Sequence, residues 1–215
     1  MTTMRQSSIV KNRPRMSIVK LIEILAILVG AFSGFIEARS KKMDVVGVFI
    51  VAFITAFGGG TLRDVLLDIR PLFWVQHQEY AILIFFLSLV AAPLLRTLKK
   101  IVSERLIVVA DALGLGLFSI AGVSEALNAN MPLFIASMMG VITGIFGGVL
   151  RDIVCNEIPM VLRDGKPYAM CSFAGCWMYL LMNRVGIDAN FSLWSSALLI
   201  VMLRLITWVH GIKLK

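Results

Sequence analysis

Gly59-Gly60-Thr61-Leu62-Arg63-Asp64 returns 88 positions later as Gly147-Gly148-Val149-Leu150-Arg151-Asp152, each time inside an apolar run. The same offset, without a gap, aligns Gly34 with Gly122, Glu37 with Glu125, Thr55 with Thr143, Pro71 with Pro159 and Tyr80-Ala81 with Tyr168-Ala169. A duplication of this length means that whatever one half folds into, the other folds into as well. Each copy also places glycines, an arginine and an aspartate within an apolar segment, which is costly unless water or protein receives them.

The runs are those of a helical membrane protein: 59% of residues are apolar, 16% are charged and the mean hydropathy is +0.88, with long apolar stretches separated by short charged ones. Cys155, Cys171 and Cys176 lie in or beside those stretches and lack metal-type spacing, so they read as reduced packing residues. The net charge of +8 sits in segment-flanking loops, which argues for membrane orientation and against nucleic acid. The basic stretch ending at Lys20, followed by an apolar run, has the outline of a signal peptide. Its match to residues 106–127 through Gly34 and Glu37 makes it a retained helix of the repeat.

Taking about twenty apolar residues per span, the sequence predicts spans near 18–38, 44–69, 79–96, 106–127, 131–156, 168–183 and 191–210. That divides the chain into a tail (1–17), a three-helix repeat (18–104), a second three-helix repeat (105–190), and a seventh helix with the C-terminal tail (191–215). An odd number of spans per repeat inverts the second copy relative to the first. Arg39, Lys41, Lys42, Arg96, Lys99, Lys100, Arg105, Arg151, Arg163, Lys166, Lys213 and Lys215 fall on one side. Arg63, Arg70, Arg184 and the N-terminal tail fall on the other. The positive-inside rule then puts the C-terminus in the cytoplasm and the N-terminus outside, with Lys11, Arg13, Arg15 and Lys20 arguing the other way.

Gly58, Gly59 and Gly60 interrupt the second span. Each glycine costs about 1 kcal/mol against alanine in a helix interior, so the backbone is expected to kink or unwind there and offer its carbonyls to water, an ion or a neighbour. Close packing is the plainer alternative, and it is the reading preferred for Gly140 and Gly144, which with Gly148 share small-xxx-small spacing. Arg63, Asp64, Arg151 and Asp152 must face an interior or lie shallow, since each costs roughly 2.5–3.5 kcal/mol at a bilayer centre. Glu23 enters at the same face as Arg63, and its counterpart Asp111 at the same face as Arg151. We therefore expect the pairs Glu23 with Arg63 and Asp111 with Arg151, with plain helix-end capping as the alternative.

Thr55 and Thr143 lie one turn before the glycines, able to line an aqueous path or to bond back to their own helix, the commoner fate. Glu125 has no basic loop beside it and is the better candidate for drawing cations to the outer mouth. Arg204 either snorkels or pairs with a neighbour. No metal-binding His pair, Gly-x-Ser-x-Gly turn or nucleophile with a neighbouring base is present, so an enzyme is not expected.

The doubled glycine-rich motif ending in Leu-Arg-Asp, followed by Pro71 or Pro159 in a three-plus-three-plus-one plan, resembles the prokaryotic trimeric intracellular cation (TRIC) channels. These are also grouped as proteins with two copies of a glycine transporter domain. The resemblance covers roughly residues 17–210. It implies an all-α fold of seven transmembrane helices, an inverted repeat plus one, and a homotrimer in the bilayer of a prokaryotic inner membrane. Each protomer would hold a pore lined by glycine-kinked second and fifth spans, at Gly58, Gly59, Gly60, Gly147 and Gly148. Phe146 stands where the first copy has Gly58, so the two halves of such a pore are not equivalent. The implied activity is passive passage of a monovalent cation, potassium first and sodium second, with no cofactor. The runner-up is a secondary transporter of a small solute such as glycine, since inverted repeats with discontinuous helices also build carboxylate sites.

Overall fold

The computed structural model describes residues 16–97, 104–163, 165 and 167–212. The basic residues Lys11, Arg13, Arg15, Lys99, Lys100, Lys166, Lys213 and Lys215, used above for orientation, lie outside the described residues. Eight α-helices are present among the described residues: α1 (Met16–Ser40), α2 (Val45–Leu66), the short α3 (Phe73–Gln76), α4 (Gln78–Thr97), α5 (Glu104–Asn128), α6 (Leu133–Val154), α7 (Tyr168–Val185) and α8 (Ala189–Val209). A 3-10 turn, Met160–Leu162, stands in the second half near where α3 stands in the first.

Five of these helices, α1, α2, α5, α6 and α8, are long and apolar enough to cross a membrane. The apolar part of α4, Gln78–Leu94, is shorter, and α7 spans 18 residues with Ser172 and Asn183 among them. Seven long helices thus match the expected spans in position, and the crossing requirement by length and composition is met by five. Their outward faces carry large apolar side chains, including Phe86, Val90, Phe191 and Leu198, each about 60% exposed, which suits a hydrocarbon surround and not water.

The duplication is visible in the backbone. Non-glycine residues take the left-handed conformation at Lys42 and Asn130 before α2 and α6, and at Asp68 and Asn156 after them, each pair 88 residues apart. Local closures repeat in step: Met43 N–H donates to Ala38 O and Met131 N–H to Ala126 O, while Ile69 N–H donates to Asp64 O and Glu157 N–H to Asp152 O. The caps differ, because Asp44 accepts from Gly47 N–H at 2.8 Å at the start of α2 and Pro132 stands at the start of α6 without a side-chain cap.

Packing follows the same pattern. α1 lies on α2 as α5 lies on α6, α2 on α4 as α6 on α7, and the halves meet where α2 crosses α6 and α1 meets α5. α8 packs on α5 and α7 and so attaches to the second half. Gly34 sits against Ala52, where a Cβ would come within 2.5 Å of Ala52 Cα. Its counterpart Gly122 sits against Gly140 and Thr143 in the same way, with a Cβ 2.5 Å from Thr143 Oγ1. Small residues let these backbones approach, the usual means of binding helices where lipid offers no hydrophobic driving force.

α2 and α6 are each a single α-helix through their glycines, so of the kink or unwinding expected at Gly58-Gly59-Gly60 the unwinding is not formed. The glycines are occupied instead by the crossing. A Cβ on Gly59 would stand 2.1 Å from the Thr143 carbonyl oxygen, and a Cβ on Gly147 would stand 2.4 Å from the Thr55 carbonyl oxygen. The packing reading for Gly140 and Gly144 agrees with their surroundings, Val123 Cγ2 at 2.4 Å and Ser119 Oγ at 2.2 Å from the respective Cβ positions.

Candidate functional site: the helix crossing and its two charge clusters

The contacts at the crossing are reciprocal. Gly59 meets Thr143 as Gly147 meets Thr55, and both pairs are related by the sequence offset, which is the signature of a local two-fold relation between α2 and α6. Thr55 and Thr143 are buried, and each hydroxyl donates at 2.6 Å to the carbonyl four residues back, Val51 O and Met139 O. Their hydroxyls are therefore spent within their own helices, while their carbonyls form the seat for the opposing glycine.

Beyond the crossing, each motif arginine turns into protein. Arg63 is 3% exposed; its Nη1 donates to Glu23 Oε1 at 2.6 Å, and its Nε and Nη2 donate to Asp64 Oδ1 at 2.9 and 2.7 Å. Asp64 also accepts from the backbone N–H of Phe73 at 2.9 Å. Arg151 repeats the plan with changes. Its Nε donates to Asp152 Oδ1 at 2.9 Å, Nη1 lies 3.3 Å from Asp111 Oδ1, and Asp152 Oδ2 accepts from Met160 N–H at 2.8 Å. Both expected ion pairs, Glu23 with Arg63 and Asp111 with Arg151, are thus formed, and both are buried. Four charges that no lipid-facing helix could carry are reconciled by mutual pairing.

Three participants were not assigned from sequence. Ser33 accepts from Arg151 Nη1 at 2.6 Å; the corresponding residue of the second half is Ala121, so Arg63 has no such partner. The Tyr168 hydroxyl donates to Asp111 Oδ2 at 2.7 Å, and the Arg204 guanidinium stacks on the Tyr168 ring, 4.5 Å from its centroid. The alignment of Tyr168 with Tyr80 and the charge of Arg204 inside an apolar span are the traces these leave in sequence. Of the two fates open to Arg204, it packs inward, 2% exposed.

Two cavities flank the crossing. One, of about 10 Å³, is lined by Glu23, Gly60, Thr61, Arg63, Trp74 and Phe118 among others. The other, of about 20 Å³, is lined by Gly30, Ser33, Thr55, Asp111, Gly147, Gly148 and Arg151 among others. Each has room for about one water molecule. Gly60 and Gly148, at equivalent positions, border the two cavities, and an added Cβ would meet little at Gly60. Gly58 faces the flexible end of Leu150, whose Cδ1 a Cβ would approach to 2.7 Å. Glu125 is half-buried at the end of α5, and its charge acts on Glu23, so it belongs to the first cluster's side. No group of three or more His, Cys, Asp or Glu suited to a metal occurs among the described residues.

Outside the spanning helices, Lys41 pairs with Glu157, and Arg163 Nη2 donates to Glu157 Oε2 at 2.7 Å. The hydrogen bond from Lys41 holds the Glu157 carboxyl below its ordinary range and ties the loop before α2 to the loop after α6.

The family described as "Glycine transporter" matches twice, at residues 20–96 and 108–184, the two halves of the duplication. The chain is 36% identical over 189 residues to a UPF0126 membrane protein of Vibrio cholerae, covering 88% of this chain and 78% of that one. It is 37% identical over 158 residues to the UPF0126 inner membrane protein YadS of Escherichia coli, covering 74% and 76%. Among solved structures, it is similar to the TRIC trimeric intracellular cation channel orthologue from Rhodobacter sphaeroides, with a TM-score of 0.83, 28% identity and coverage of 92% of this chain and 100% of that one. A prokaryotic TRIC channel solved in 0.5 M KCl gives a TM-score of 0.84 at 27% identity, covering 93% and 100%. These structural relatives are ion channels and not enzymes.

Proposed function

We propose that this chain, which belongs to the duplicated membrane family described as glycine transporter, is a passive monovalent cation channel whose path runs inside the protomer through the α2/α6 crossing. The observation that carries this is the reciprocal seat of Gly59 on Thr143 and Gly147 on Thr55. It is flanked on either side by a cavity bordered by a buried arginine and its acids. The full-length likeness to TRIC cation channels supports it.

In this arrangement the crossing is the constriction and is closed. Opening separates α2 from α6 at Gly59 and Gly147, where backbone meets backbone. The paired acids Glu23, Asp64, Asp111 and Asp152 favour a cation in the widened path, and Arg63 and Arg151 hold those acids in place and set the barrier. Potassium is the ion we assign, with sodium second. The protein works as a homotrimer, as the structural relatives are trimeric channels. It lies in a bacterial inner membrane, N-terminus outside and C-terminus cytoplasmic, with its halves inverted and all seven long helices crossing.

The second reading is secondary transport of a small solute such as glycine, which the family's description favours. Transporters of the inverted-repeat kind hold a carboxylate at the N-terminus of a broken helix. Here α2 and α6 are unbroken, and both motif arginines are already engaged by acids of this chain. Purified protein in a planar bilayer with KCl decides between them. The channel gives stepwise unitary currents that persist without glycine; saturable glycine flux without unitary currents would establish the transporter.

A further inference from the structure

α8 brings in a guanidinium that the duplication does not account for. Arg204 is 2% exposed, and its Nε and Nη1 have no hydrogen-bond partner among the described residues. Its Cζ lies 4.5 Å from the Tyr168 ring centroid. The Tyr168 hydroxyl donates to Asp111 Oδ2 at 2.7 Å, and Asp111 Oδ1 lies 3.3 Å from Arg151 Nη1. A continuous line of polar contacts therefore runs from α8 through α7 and α5 to the motif arginine on α6.

A buried cation is costly unless charge of opposite sign is near. The face of the Tyr168 ring attracts it, and a phenol under a cation is a stronger donor to the carboxylate beyond. With its acids ionised, the second cluster alone sets two carboxylates, Asp111 and Asp152, against one arginine; Arg204 brings it to balance. The first cluster has the same surplus, Glu23 and Asp64 against Arg63, and among the described residues the buried cations are Arg63, Arg151 and Arg204. Tyr80, the counterpart of Tyr168, stacks instead on Phe73 and lies tilted against His77. Glu125 adds a further negative charge on that side. Glu37, its counterpart, acts on Lys41, whereas Ala129 stands at the position equivalent to Lys41.

We propose that Arg204 is a positioning residue that sets specificity, neutralising the second motif cluster through Tyr168 and Asp111 so that the two ends of the path differ in net charge and cations cross it more readily in one direction. This rests on the channel reading above.

Single-channel current–voltage curves in symmetric KCl read the asymmetry as the ratio of currents at equal and opposite voltages. The wild-type protein rectifies. Arg204→Gln exposes the second cluster's surplus acid and Glu23→Gln removes the first's, so each moves the ratio about twofold toward one; Arg204→Lys keeps the wild-type ratio. An unchanged ratio in Arg204→Gln, or an equal shift in Arg204→Lys, overturns the proposal. Where Arg204→Gln yields no folded protein, Glu23→Gln carries the test, and the lack of a shift there overturns the proposal. A double-mutant cycle of Arg204→Gln and Asp111→Asn on thermal unfolding reads the relay without current. Coupling supports the relay even if the wild-type protein passes no ions, which would fault the channel reading alone. Additivity overturns the relay even if the channel reading stands.

Discussion

Arg63 is held by Glu23 at 2.6 Å and Asp64 at 2.7 Å, whereas Arg151 is held by Asp152 at 2.8 Å, keeps a longer ion pair to Asp111 at 3.3 Å and adds the Ser33 hydroxyl at 2.6 Å. Asp111 in turn has a second donor, Tyr168, and no hydrogen bond to Glu23 other than that from Arg63 is found among the described residues. The motif residues are the same in both copies, and what differs comes from neighbours: Ser33 against Ala121, and α8, which packs on α5 and α7 of the second half. Duplication preserved the arginine and its adjacent aspartate, and divergence around them left Glu23 with Arg63 alone as its donor among the described residues while Ser33 and Tyr168 join the second cluster.

The comparison breaks first at the arginines. Arg63→Gln leaves Glu23 and Asp64 buried without their cation and is expected to cost roughly 3–5 kcal/mol, in the range for breaking a buried pair. Arg151→Gln should cost less, because Tyr168 still serves Asp111; reversible unfolding in mixed micelles measures both, and equal losses would deny the difference. The crossing is where the halves should behave alike. Gly59→Ala and Gly147→Ala drive a Cβ against backbone and are expected to cost roughly 1–3 kcal/mol each, while Gly60→Ala, with Arg63 Nη2 no nearer than 4.0 Å, is near neutral in the same assay. Ser33→Ala should remove about 1 kcal/mol, and Ala121→Ser should gain nothing comparable, which sharpens the contrast at the hydroxyl. Smallest is the loop tie. Glu157 has its carboxyl held low by Lys41, so whatever the pair contributes is present at neutral pH and fades as pH falls through that lowered value. Glu157→Gln should therefore lower the melting temperature slightly at pH 7 and not at all in strong acid.

Much of this was legible in the residues alone. The offset of 88 located the helices, and it paired Glu23 with Arg63 and Asp111 with Arg151, because buried charges in lipid must find each other and the helix plan allowed few partners. The unwinding expected at the glycines is absent for a physical reason. Gly58-Gly59-Gly60 weakens a helix by propensity, yet the carbonyl of Thr143 approaching Gly59 gives back in interhelical packing what propensity removes, and a single sequence does not display the partner helix. Ser33, Tyr168 and the partner of Arg204 escaped for a related reason. Each acts across a helix interface through one atom or one ring face, and leaves no period or spacing behind. Phe118 is similar: it lines both cavities, while its counterpart Gly30 lines the second, a difference that means something only once the crossing is built.

The most direct test of a conduction path at this crossing is modification of current by a charged methanethiosulfonate, in a background with Cys155, Cys171 and Cys176 replaced by alanine. Gly60→Cys and Gly148→Cys, which border the two cavities, should each lose current on exposure to the reagent. Phe134→Cys, 57% exposed on the outer face, should be unaffected. Current that survives at both glycine positions, or is lost at Phe134, would place the path elsewhere.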